Sequence, residues 1–193
     1  QLPERIKNFI HPTAEDRLLE FHASSGYLGA SLSPYFKSVD SVDMYDSAKQ
    51  MAIKNAHQLP KANMKVHRER LSEKWILSFF NIPENEGKWT ILFNPPAGKP
   101  LPTGVIMATA KACPERILFI SSNLEEAAKE IKRFRREGYM LRKALPMDLE
   151  PGTKSFEVLF LFVPDRAGIL GDKKTFSTKK EQKTNSKPKK EVK

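Results

Sequence analysis

Five short stretches hold residue types that could do chemistry. Ser121-Ser122-Asn123 lies between an apolar run, Arg116 to Ile120, and a basic segment with helical patterning from Leu124. A serine hydroxyl at a strand end could be a nucleophile. An alkoxide is hard to generate, however, and no His or Lys adjacent in sequence offers an activating base. Ser122-Asn123-Leu124-Glu125 also reads as a Ser-x-x-Glu capping box ahead of that helix, so helix cap is the expected role of Ser122. Leu19-Glu20-Phe21-His22-Ala23-Ser24-Ser25-Gly26-Tyr27-Leu28-Gly29 is a strand entering a small-residue turn. Glycine in such a turn admits positive φ and lets the backbone approach a ligand. Asp43 ends a second short strand, where an acid can accept hydrogen bonds from both ribose hydroxyls of a nucleoside. Asn94-Pro95-Pro96 follows an apolar strand, and its two prolines hold an extended loop leaving a sheet. Glu157 opens the last apolar run.

The elements that must position these groups alternate along the chain. Strands are expected at 17–21, 38–43, 64–67, 89–93, 116–120, 139–147 and 156–163. Helices are expected at 28–36 with a stop near Pro34, at 47–58, around 75–80, at 103–111 and at 124–137. Ala48, Met51, Ala52 and Ile53 are expected to face inward from the second helix. Leu124, Ala127, Ala128, Ile131 and Phe134 are expected to do so from the last, which Gly138 should end. Alternation of this kind implies an α/β, Rossmann-like fold with a mostly parallel sheet and right-handed crossovers. The last two strands have no helix between them, which implies an antiparallel end. In such sheets, ligands bind at the carboxyl ends of the strands.

Composition sets the bounds. The 193 residues, 39% of them hydrophobic, suit one domain. No apolar run approaches the length that spans a bilayer, and no targeting segment is expected. A single cysteine, Cys113, excludes an internal disulfide framework and a Cys-based zinc cluster, and the four His show no metal-ligand spacing. The net charge of +10 is uneven: residues 173–193 carry nine Lys against two Glu, which leaves 24 Lys and Arg against 21 Asp and Glu elsewhere. The expected organisation is an N-terminal extension over 1–16, a domain over 17–165 and a disordered Lys-rich tail over 166–193. Lys173, Lys174, Lys179, Lys180, Lys183, Lys187, Lys189, Lys190 and Lys193 are candidates for neutralising RNA phosphates.

Taken together, Leu19–Gly29, Ile91–Pro96, Ile120–Asn123 and Met147–Thr153 resemble the catalytic half of the RNA uracil-C5 methyltransferases, which are class I enzymes that use S-adenosylmethionine. The family's first cofactor motif reads Leu-Asp-Leu-Phe-Cys-Gly-Ser-Gly-Thr-Leu-Gly. Glu20 takes the acidic place, Ser24 the first glycine and Gly26 the second. Asp-Pro-Pro-Arg stands against Asn94-Pro95-Pro96-Ala97. Ser-Cys-Asn-Pro stands against Ser121-Ser122-Asn123-Leu124, so Ser122 holds the place of the nucleophilic Cys. Asp-(Leu/Met)-Phe-Pro-x-Thr-x-His-x-Glu stands against Asp148 to Glu157; Asp148, Pro151, Thr153 and Glu157 match, while Glu150 and Ser155 replace the Phe and the His.

The resemblance covers residues 17 to 165. It implies a class I methyltransferase fold and S-adenosylmethionine as cofactor, bound through Glu20, Ser24, Gly26, Asp43 and Asn94. It also implies a catalytic set at Ser122, Glu157 and Asn94. In the family, a cysteine thiolate adds to C6 of uracil, C5 attacks the methyl sulfonium, and a base at the place of Glu157 removes the C5 proton. A thiol with a pKa near ~8.5 supplies that thiolate and Ser122 does not. Cys113 is expected at the opposite edge of the sheet. The family's RNA-binding β-domain and central insert have no counterpart here. Because Ser24, Asn94 and Ser122 depart together, the expectation is a catalytically degenerate homologue. It would bind RNA or ribonucleoprotein, such as rRNA or tRNA with ribosomal proteins, as a ribosomal or assembly component. Mitochondria are favoured over cytoplasm or nucleus. An active RNA methyltransferase and an S-adenosylmethionine-binding regulatory module are the alternatives. No membrane or metal partner is expected.

Overall fold

A computed structural model describes residues 2–59, 63–149, 151–152 and 156–165. One sheet carries seven strands: β1 (Asp16–Phe21), β2 (Ser38–Asp43), β3 (Met64–Arg68), β4 (Lys88–Phe93), β5 (Arg116–Ser121), β6 (Tyr139–Met147) and β7 (Glu157–Pro164). Their order is β3-β2-β1-β4-β5-β7-β6. β1 to β5 are mutually parallel, and β7 runs antiparallel to both β5 and β6. Six helices accompany them: α1 (Leu2–Ile10), α2 (Tyr27–Leu32), α3 (Asp46–Gln58), α4 (Glu73–Phe80), α5 (Thr103–Lys111) and α6 (Leu124–Arg136). The mostly parallel sheet and its antiparallel end are as the alternation implied.

The sheet is covered on both faces, which is why β4 and β5 read as unbroken apolar runs. On one face α4, α5 and α6 pack Ile76, Val105 and Phe134 onto Ile91, Phe93, Phe119 and Phe162. Phe134 lies with its ring centroid 4.8 Å from that of Phe162. On the other face α1 and α2 cover Leu18, Val39, Leu92 and Leu118. At the amino edge, Arg116 reaches the buried Asp16 carboxylate at 3.2 Å.

Several details differ from expectation. The N-terminal extension contains α1, which buries Ile6 and Ile10 against the sheet's second face. The helix expected at 28–36 ends as α2 at Leu32, and Pro34 sits inside a 3-10 turn over Ser33–Tyr35. In α3, Ala48 and Ala52 are buried, whereas Met51 is 55% exposed and Ile53 is also exposed. Only the alanine stripe faces inward, because α3 passes so close to Gly26 that a Cβ there would come within 2.5 Å of Ala52 Cβ. In α6, Ala127 and Phe134 are buried, but Leu124 is 51% exposed and Ala128 is exposed. Leu124 lies three residues past Ser121, the last residue of β5.

This topology gathers the candidate groups. The carboxyl ends of β1, β2, β4 and β5 share one edge, and antiparallel β7 brings its amino end to that edge. Val158 pairs with Ser121, which places Glu157 beside the turn after β5.

Candidate functional site

The centre of the site is the turn from β1 into α2. Left-handed backbone recurs at every second residue: His22 at φ 57°, Ser24 at φ 50° and Gly26 at φ 65°. For a residue with a Cβ, that conformation costs about 1–2 kcal/mol. Hydrogen bonds hold it in place. The Ala23 N–H donates to the Val42 carbonyl at 3.2 Å, and the Gly26 N–H donates to the Ala23 carbonyl at 2.8 Å. The Ser24 N–H donates to Asp43 Oδ2 at 2.9 Å. Ser24 therefore takes up a glycine-like backbone with an exposed side chain.

Glu20 ends up under this turn, 1% exposed. The Ser41 hydroxyl donates to its Oε2 at 2.7 Å, and the Gly29 backbone N–H donates to its carboxylate. Burial pushes its pKa from 4.5 to about 7; the Ser41 and Gly29 hydrogen bonds oppose the rise and the Asp43 charge adds to it. A Cβ on Gly29 would run into Ser41 Oγ and Glu20 Oε2, so glycine is needed there. Glu20 thus ties β1, β2 and α2 together from inside.

Asp43 is half-buried at the end of β2. Its Oδ2 holds Ser24, and its Oδ1 accepts the Tyr45 N–H at 3.1 Å. Each carboxylate oxygen has further lone-pair capacity, so the group can still accept from two hydroxyls. Asn94 directly follows β4, half-buried, and its N–H donates to the Phe21 carbonyl at 3.3 Å.

At the end of β5, the expected capping box is displaced by one residue. Asn123 Oδ1 accepts the N–H groups of Glu125 and Glu126 at 3.0 and 3.1 Å, so Asn123 caps α6 and Ser122 does not. The Ser121 hydroxyl fixes this register by donating to the Asn123 carbonyl at 3.0 Å while accepting the Asn123 N–H at 3.1 Å. Ser122 is exposed at this turn, and Glu157, at the head of β7, directly precedes Val158, which pairs with Ser121. Cys113 sits between α5 and the amino end of β5, at the opposite edge.

The fold therefore brings the 22–26 turn, Asp43, Asn94, Ser122 and Glu157 to one edge, with Glu20 buried beneath. The lysines at 173, 174, 179, 180, 183, 187, 189, 190 and 193 lie outside the described residues, as do Glu150, Thr153 and Ser155. Sequence reasoning overlooked His22. Its Nδ1 is buried without a hydrogen-bond partner among the described residues. Burial lowers its pKa below 6.5, against a raising effect from Asp43.

Strand order and antiparallel β7 match the class I methyltransferase fold. No protein-family model matches the chain. By sequence it is similar to proteins named RNA methyltransferases. It is 30% identical over 166 residues to the Lactococcus lactis protein named uncharacterized RNA methyltransferase YljE, covering 84% of this chain and 34% of that protein. It is 29% identical over 158 residues to a Chlamydia muridarum protein named uncharacterized RNA methyltransferase, covering 82% and 38%. The chain thus spans about a third of the length of these relatives. The crystal structure of the Pyrococcus abyssi tRNA (uracil-54, C5)-methyltransferase, in complex with S-adenosyl-L-homocysteine, superposes with a TM-score of 0.62 at 19% identity. It covers 84% of this chain and 37% of that one.

Proposed function

We propose that this chain binds RNA as a member of the RNA methyltransferase family that has given up the cysteine-adduct route to uracil C5. One observation carries the reading. The turn after β5, where the resemblance puts the nucleophile, presents an exposed Ser122, and the chain's single thiol, Cys113, lies at the other edge of the sheet. Ser122 has no cap duty, so the absence of a thiol there is not explained by helix structure. Without a nucleophile to add at C6, Glu157 has no adduct from which to remove a C5 proton.

The residues present fit S-adenosylmethionine. Asp43 keeps lone pairs for two ribose hydroxyls, and the left-handed turn at 22–26 keeps the backbone shape that glycines give such sites. Bound there, the cofactor would supply an electrophilic methyl group. Asp43 would hold its ribose, and Ser24 would present a side chain where the family has none. The RNA expected is ribosomal or transfer RNA, and a mitochondrial ribosomal or assembly setting belongs to the same proposal.

Active methyl transfer by a route that needs no cysteine is the second reading, favoured by Glu157 preceding Val158, the partner of Ser121, and by the retained Asp43. Two titrations of the full chain separate the readings. Labelled RNA is expected to bind with an affinity that falls steeply with salt, and S-adenosylmethionine calorimetry reports cofactor binding independently. Failure to bind RNA at low salt would overturn the proposal. Cofactor binding without RNA binding would instead support a regulatory module. A Ser122→Cys variant that gains uracil methylation would show that the remaining site is competent.

A further inference from the structure

We propose that the outward face of α6 is a docking surface for the RNA sugar-phosphate backbone, an inference that rests on the RNA-binding reading above. α6 buries Ala127, Glu130 and Phe134 at i, i+3 and i+7. The opposite face consequently carries Lys129, Lys132 and Arg136 at the same spacing, with Arg135 beside them. That row spans about 10 Å of helix axis. Not all the charge is available. Arg133 is held by both oxygens of the buried Glu130 at 2.7 and 3.0 Å, and Lys129 is held by Glu126 at 2.7 Å. Lys132, Arg135 and Arg136 are exposed and make no ion pair among the described residues. Complementing the helix macrodipole would explain Arg135 and Arg136, which lie in the last turn. Lys132 lies ahead of that turn.

Two further observations extend the surface. In β6, the strand beside α6, a register shift between Leu141 and Lys143 leaves Arg142 unpaired and exposed. The cationic excess is also local: residues 1–172 carry only 24 Lys and Arg against 21 Asp and Glu. An RNA backbone suits this face better than a bilayer does, because no large apolar residue is exposed between Glu125 and Arg136. α6 begins at the site edge with the Asn123 cap and runs about 20 Å away from it. RNA lying along it would reach the site over Leu124 and Ser122.

The test uses the full chain and a labelled uridine-rich RNA hairpin, with anisotropy read across a salt series. The triple variant Lys132→Ala, Arg135→Ala, Arg136→Ala is expected to bind roughly a hundredfold more weakly at 150 mM salt. Its slope of log affinity against log salt should fall by about 2–3, at ~0.7–0.9 per lost phosphate contact. A control triple, Lys54→Ala, Lys65→Ala, Lys74→Ala, should bind like the parent, and circular dichroism checks that both variants are folded. Equal binding by parent and α6 variant, or an equal loss in the control, would overturn the surface while leaving RNA binding itself intact. A parent that binds no RNA refutes the underlying function reading instead. Loss in the α6 variant of binding to phosphatidylglycerol vesicles, with RNA binding unchanged, would reassign the face to a membrane.

Discussion

Replacing Glu20 with Gln keeps the shape of the side chain under the β1–α2 turn and removes its charge. Glu20 is 1% exposed, and burial raises its pKa from 4.5 to about 7. Below pH 4.5 the folded and unfolded chains both hold the proton, and the group contributes no pH dependence. Between 4.5 and about 7 the unfolded chain releases its proton while the folded chain retains it, so stability falls as pH rises. Above about 7 the loss is complete and constant. A rise of that size, at ~1.36 kcal/mol per unit, corresponds to about 3 kcal/mol. Urea unfolding of both proteins from pH 4 to 8, followed by Trp75 and Trp89 fluorescence, would measure it. The Gln variant carries a fixed offset, because its amide N–H groups enter a site built for acceptors. The parent should lose about 3 kcal/mol more than the variant across the range. Taking the difference cancels groups common to both proteins. Parallel profiles would refute the buried, strained carboxylate.

Other outcomes follow from the same geometry. Ser24→Gly relieves a left-handed backbone at φ 50°. Offset against greater unfolded-state freedom, it should raise stability by roughly 0.5–1 kcal/mol and strengthen S-adenosylmethionine binding in calorimetry. Asn123→Ala removes the acceptor of two helix N–H groups and should cost about 1 kcal/mol in urea unfolding, whereas Ser122→Ala should stay within about 0.5 kcal/mol. His22→Phe should flatten the acid side of the stability profile. The lowered pKa of His22 gives stability that is present above pH 6.5 and lost as pH falls below it. Phe134→Ala empties a fully buried site between Phe93 and Phe162 and should cost about 3–5 kcal/mol in the same unfolding assay.

The order of elements was legible because the central strands are continuously apolar and the helices are periodic. The antiparallel end was legible because no helix fits between Met147 and Glu157. Burial in α3 was not legible. Met51 and Ile53 are as apolar as any core residue, and only the close approach of Ala52 to Gly26 decides which face turns inward. The α6 cap could not be placed from pattern alone, since Ser122 with Glu125 and Asn123 with Glu126 both satisfy the capping spacing. The Ser121 hydroxyl, a tertiary detail of the end of β5, selects the second register. The groups of the site edge were legible as separate motifs. Their convergence depended on a parallel sheet, and the neighbourhood of Glu157 depended on the β5–β7 register. His22 was missed because nothing in a histidine's chemistry foretells left-handed backbone. The role of Glu20 as an internal tie required Ser41, which sits on a different strand.

The central claim is that the turn after β5 no longer forms an adduct with uracil. Methylation at C5 expels the proton there, so RNA carrying tritium at uracil C5 releases tritium to water as the reaction proceeds. The full chain, incubated with S-adenosylmethionine and such RNA, should release none above the protein-free blank. Sustained release by the chain with Ser122 in place would contradict the account.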